Sequence, residues 1–172
     1  MYKSQKALTC VLILVALGAL GFAGEPEGSM PGAEKELYFG APACLYGQNS
    51  LFGLQGGYRS GNWQVRLDLN LAEDYRNGRD CWAFMPSVGF FYSQDVGEKI
   101  RFYEGLAFGM EKGIENSFQG TIGFMNYIAG AELIAFGDKT FFVEVGSGIS
   151  FPQDEGAYNG GTIVGGGFRY YF

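Results

Sequence analysis

From Glu36 to the end of the chain, apolar and polar residues alternate with a period of two, punctuated by turn residues every 10 to 15 positions. A period of two places successive side chains on opposite faces of an extended strand. The clearest stretch is Trp63–Ala72, where Trp63, Val65, Leu67, Leu69 and Leu71 share one face and Gln64, Arg66, Asp68 and Asn70 the other. Glu36–Tyr46 groups Leu37, Phe39, Ala41, Ala43 and Leu45, and Ser50–Arg59 sets Phe52, Leu54, Gly56 and Tyr58 against Gln55, Gly57 and Arg59. Cys81–Ser93 groups Trp82, Phe84, Val88, Phe90 and Tyr92, and Thr140–Phe151 sets Phe141, Val143, Val145, Ile149 and Phe151 against Glu144, Gly146 and Gly148. The final stretch sets Val164, Gly166, Phe168, Tyr170 and Phe172 against Gly165, Gly167, Arg169 and Tyr171. Lys99–Met110 and Gln119–Phe136 bring the number of strands to eight. In these two, Glu104 and Glu132 each interrupt an alternation, which leaves their facing open and marks places for a bulge.

The connections carry an independent signal. Short links at 60–62, 94–98 and 137–139 alternate with longer ones at 73–80, 111–118 and 152–159; the short link 47–49 is the one departure. Transmembrane barrels have short periplasmic turns and longer outer loops. In lipid an unpaired backbone group costs several kcal/mol, so a sheet there must close. Strands of about ten tilted residues cross the apolar band, and eight strands enclose a space that side chains can fill. The expected fold is therefore all-β: an eight-stranded antiparallel transmembrane β-barrel over residues 36–172, with short periplasmic turns and longer outer loops. Leu, Val, Phe, Tyr and Trp face out, and Gly, Ser, Gln and charges face in. The competing fold, a secreted soluble β-sandwich, would turn its apolar faces inward.

The segment before the strands is of another kind. Lys3 and Lys6 precede an apolar run, Ala7–Gly21, which closes on Gly21-Phe22-Ala23. This is the layout of a signal peptide, with cleavage expected after Ala23. A membrane anchor would need a run of about 20 residues, and a lipoprotein cysteine would follow the run, whereas Cys10 lies inside it. Residues 24–35, with two prolines, are expected to be a flexible periplasmic leader.

Charge narrows the partners. Without Lys3 and Lys6, the remaining basic residues of the twelve face eighteen acids, a net charge of −8. That excess of acid speaks against nucleic acid and against a basic patch for anionic lipid. The chain holds 29 Gly, 16 Phe and 11 Tyr, a composition that opposes helices and suits closely packed strands. Outward Trp63, Trp82, Tyr58 and Tyr92 read as interface girdles.

The final strand carries a resemblance. Phe172 is terminal, with aromatics two and four positions before it, Tyr170 and Phe168. This resembles the C-terminal insertion signal of bacterial outer-membrane proteins, and implies recognition by the barrel-assembly machinery. Together with the signal peptide, the strands and the loop alternation, the chain is similar to the small eight-stranded barrels related to the transmembrane domain of outer membrane protein A and to the X and W proteins. The resemblance implies a bacterial outer-membrane location, with outer-membrane lipids as partners.

The chain has no histidine. Enzymes among the small outer-membrane barrels use one as base or proton shuttle, and without it a Ser nucleophile lacks its ordinary activator. The adjacent acids Glu73-Asp74 and Asp154-Glu155 read as solvated loop charges, and two cysteines without histidine make no zinc cluster. No catalytic residue, metal or cofactor is expected. The candidate site is instead the inward charge set Arg66, Asp68, Glu144 and Arg169, with Glu104 and Glu132 as candidate members. Low dielectric demands that such charges pair. A structural plug is expected, and a gated or ligand-binding lumen is the alternative. Cys44 and Cys81 share the inward parity near the outer end, so a disulfide is conceivable only if the mouth folds over. The expected role is non-enzymatic, either structural or a contact with an extracellular or host ligand made by loops 73–80, 111–118 and 152–159. The alternative is a narrow channel or binding barrel for small solutes, hydrophobic ones included.

Overall fold

The computed structural model describes residues 36–46, 49–76, 79–114, 121–151 and 161–172. The expected signal peptide 1–23 and leader 24–35 lie outside the described residues. The eight strands are β1 (Glu36–Tyr46), β2 (Asn49–Ser60), β3 (Trp63–Arg76), β4 (Arg79–Val96), β5 (Ile100–Ile114), β6 (Thr121–Phe136), β7 (Lys139–Phe151) and β8 (Gly161–Tyr171). Each pairs antiparallel with its sequence neighbours, and β8 closes on β1, so the sheet has no edge.

The register fixes the barrel's shape. A path perpendicular to the strands runs Glu36, Arg59, Gln64, Phe91, Gly105, Ile128, Gly146, Ile163 and returns to β1 at Tyr46, ten residues beyond its start. With the usual rise and spacing of strands, that stagger requires a tilt of about 40°. Three glycines with positive φ turn the chain at one end: Gly61 (59°), Gly97 (77°) and Gly137 (54°). Only a residue without Cβ takes that conformation freely.

The wall is inverted relative to a soluble barrel. Trp63, Leu37, Leu54, Val145 and Phe172 point outward and are exposed, whereas Arg59, Arg101, Arg169, Gln55, Gln64 and Glu132 are fully buried inside. Glycine is part of this packing. A Cβ at Gly57 would run into the ring of Tyr38, its partner across the β1–β2 pair, and one at Gly130 into the ring of Tyr103 across β5–β6. The inward aromatic rings thus lie flat over bare backbone. At the end opposite the turns the interior becomes apolar, with Leu51, Ala72, Ala83, Met85 and Phe124 packed together.

Two expectations are corrected. Segment 73–80 is not a long loop: β3 and β4 extend as a paired hairpin to Arg76 and Arg79, in continuous register. β5 likewise takes in residues 111–114 of the expected loop 111–118, while 115–118 and the loop 152–159 lie outside the described residues. A strand's alternation does not stop where it leaves the apolar band, and pairing with a neighbour satisfies the backbone on either side of that limit. The irregularity expected near Glu104 or Glu132 falls slightly later, between Ile134 and Phe136 in the β6–β7 pair. There Ile134 and Ala135 are buried in succession, as a one-residue bulge requires.

Candidate functional site: an ionic network across the barrel interior

Strand parity brings charges from every part of the chain to one level of the interior. Arg169 of β8 lies at its centre. Its Nη1 bonds Glu132 of β6, its Nη2 reaches Glu144 Oε1 of β7 at 3.1 Å, and its Nε donates to Gln55 of β2. Arg66 of β3 donates through Nε to Asp68 Oδ2 at 2.9 Å and through Nη1 to Glu144. Gln55 Nε2 closes the ring onto Asp68 Oδ1 at 2.8 Å. Toward the turn end, Arg101 of β5 donates to Asp95 Oδ1 at 2.7 Å and to Glu132 Oε2 at 3.2 Å. Arg59 lies 3.7 Å from Glu36 and 3.9 Å from Asp95.

Aromatic side chains complete the packing around these ions. Tyr103 Oη donates to Glu144 Oε1 at 2.6 Å, and Tyr171 Oη to Glu132 Oε2 at 2.8 Å. The Arg169 guanidinium lies 4.1 Å from the Phe142 ring centroid and 4.9 Å from that of Tyr103, while Arg66 lies 4.3 Å from Phe91. A planar cation can stack on rings and still present its edge donors to carboxylates. The arrangement therefore satisfies both the apolar and the charged needs of the same guanidinium.

Of the candidates read from the sequence, Arg66, Asp68, Glu132, Glu144 and Arg169 are brought together inside. Glu104 is not, and this is a correction. Its side chain faces outward between Phe102 and Leu106, and accepts a hydrogen bond from Tyr127 Oη. The rest of β5 explains it: Arg101, Tyr103 and Ala107 are buried, Phe102, Leu106, Phe108 and Met110 exposed, so residue 104 has the outward parity. Sequence reasoning missed Arg101, Tyr103, Tyr171 and the Gln55 link. Had the four apolar residues of β5 set the parity, Arg101 would have read as inward and Glu104 as outward. The Cys44–Cys81 bridge is not formed: Cys44 is a free thiol. β1 and β4 are not neighbours in the sheet, and Cys44 stands between Leu51 and Gly165, away from the register position of Cys81 beside Asp74.

Beyond the network, a cavity of about 40 Å³ is lined by Cys44, Tyr46, Asn70, Ser87 and Asn126, with Arg66, Asp68 and Glu144 at its base. That is room for a few waters.

An inverted eight-stranded closed barrel with a packed ionic interior defines a class: the small transmembrane β-barrels of the outer-membrane type. Solved structures share the fold, two of them as follows. The N-terminal β-barrel domain of Pseudomonas aeruginosa OprF matches with a TM-score of 0.58 at 20% identity, over 81% of this chain and 98% of that one. Neisserial surface protein A (NspA) matches with a TM-score of 0.58 at 11% identity, over 80% of this chain and 96% of that one. No protein-family model and no curated protein sequence matches the chain.

Proposed function

We propose that this chain is an integral protein of the bacterial outer membrane, non-enzymatic, with a plugged interior, and that it acts through its outer end. One observation carries the reading: Arg169, fully buried, is tied to Glu132, Glu144 and Gln55 on three other strands. A lumen crossed by such bonds has no continuous water path. The same fold in NspA belongs to a surface protein, which supports a surface role. The residues that would meet an extracellular or host ligand are those of the β3–β4 hairpin around 73–80 and of segments 111–118 and 152–159.

Export by a signal peptide cut after Ala23, and assembly through Phe168, Tyr170 and Phe172, fit this reading. All three aromatics face outward, where an assembly factor and outer-membrane lipids would meet them. The network fills space and needs neither metal nor cofactor for its role.

Planar-bilayer recording tests the plug. The refolded protein is expected to give at most brief, small openings. A steady large conductance would instead favour the second reading, a channel for small solutes. Among the described residues, the water-sized cavity beside Arg66 and Glu144 favours that alternative.

A further inference from the structure

The buried charges of the barrel do not balance. Among the described residues, Arg59, Arg66, Arg101 and Arg169 are buried, against the acids Glu36, Asp68, Glu111, Glu132 and Glu144. Asp95 adds a partly exposed carboxylate at the turn end, bonded to Arg101. The surplus is negative, in an interior where a charge is costly unless it is answered. Around Asp68 and Glu144 the shortfall is local. Arg66 serves both of them, and Arg169 divides its donors between Glu144 and Glu132.

A second observation lies on the outer side of these two carboxylates. The cavity of about 40 Å³ is lined by Asp68 and Glu144 together with Asn70 of β3 and Asn126 of β6. Asn126 is only 8% exposed, and its Oδ1 lies over the bare backbone of Gly148. That oxygen has no hydrogen-bond partner among the described residues. Asn70 Oδ1, over Gly53, is likewise enclosed and unpartnered. Buried polar atoms are ordinarily paired, and an unpaired one marks a place for water or an ion. Two amide oxygens and two carboxylates on one small cavity are all acceptors, and the surplus beside them calls for positive charge.

We infer that this cavity binds one alkali-metal ion, K⁺ or Na⁺, taken up from the outer end. Amide and carboxylate oxygens can stand in for the hydration shell of such an ion. Arg66 sets the valence. Its guanidinium is bonded to both carboxylates at the base of the cavity, so a divalent ion would meet a cation at close range and exceed the local surplus. Volume sets the size: the space suits a bare ion with a water or two, and excludes an organic cation such as choline. Of the lining residues, Cys44, Tyr46 and Asn70 are partly exposed, which gives the ion an entrance, while Arg66 and Arg169 close the other side. The inference rests on the packed network, at which the ion stops. The network closes the lumen without it; the ion answers the remaining charge.

The full-length protein, folded in micelles of an uncharged detergent, is unfolded in urea while K⁺ replaces choline at constant ionic strength. A ligand held only by the folded state lowers the unfolding constant in proportion to one plus its concentration over Kd. At ten times its Kd, K⁺ is thus expected to lower that constant about tenfold. A parallel Na⁺ series shows which ion the site prefers. Asn126→Leu, whose apolar side chain suits its neighbours Phe124 and Ile128, is expected to abolish the response. Asn126→Asp, which adds a charge to the same wall, is expected to lower the Kd several-fold. No response to either ion beyond that to choline, an unchanged response in Asn126→Leu, or a weaker one in Asn126→Asp would each overturn the site. Where Asn126→Leu fails to fold, seen on unheated gels, the Asn126→Asp series decides. Bilayer recording separates this site from the plug. Steady conductance with the ion response intact overturns the plug and keeps the site; a closed barrel indifferent to both ions overturns the site and keeps the plug.

Discussion

Arg169 has no exposure at all, and Glu132, to which it binds, is just as dry within its side chain. Replacing a buried ion pair by apolar groups can be neutral, but removing one partner leaves a buried charge unanswered and costs about 3–5 kcal/mol. Arg169→Leu takes one cation from Glu132 and Glu144, which keep Arg101 and Arg66, and leaves Gln55 Oε1 without its donor, so it is expected to cost about 3 kcal/mol, the low end of that range. Urea unfolding from vesicles, followed by tryptophan fluorescence, measures it. A loss below about 1 kcal/mol would mean that water reaches the network and screens it. The glycines make a second prediction at this scale. Gly57 lies under the Tyr38 ring, and a methyl group there collides with it. Gly57→Ala is expected to cost about 1–3 kcal/mol through overpacking, and Gly57→Ala with Tyr38→Ala to cost less than the two changes summed. Strict additivity in that double-mutant cycle would deny the contact.

At the scale of one strand, β3 shows how much a period of two determines. Arg66 and Leu67 are adjacent, yet one is held by Asp68 and Glu144 and the other stands outside. Leu67→Arg would put a charge into lipid, and is expected to cost about 2–4 kcal/mol if Leu67 lies near the midplane. The same change at Ser60, beside the turn, is expected to cost about 1 kcal/mol or less. Equal costs at the two positions would deny that the wall faces lipid. β3 was legible in the sequence from Trp63 to Leu71 because every alternating position there agrees. β5 was not, because a single acid at residue 104 contradicts the parity that Phe102, Leu106, Phe108 and Met110 set. The extension of β3 and β4 into 73–80 was hidden for another reason. Polar and charged residues there look like a loop, but main-chain pairing to the next strand does not depend on side-chain polarity.

For the whole molecule, closure and orientation are the decisive properties. The Gly61, Gly97 and Gly137 turns lie at one end, with Glu36 and Phe172, and the proposed topology puts that end in the periplasm. On intact cells, in a chain with Cys44 and Cys81 replaced, a membrane-impermeant maleimide is expected to label Asp154→Cys and to spare Asp138→Cys. The opposite pattern would invert the topology and move the proposed ligand surface to the turn end.

The sequence by itself determined the number of strands, the face that each clean strand turns outward, and so the inverted character of the wall. Those are local properties, set by the fixed two-residue repeat of an extended chain. Only the tertiary structure decided which inward charges meet. Arg169 and Gln55 are 114 residues apart, and Arg66 and Glu144 are 78 apart; nothing local relates them. Their contact follows from a stagger of ten residues around a closed ring, a quantity that no single strand contains.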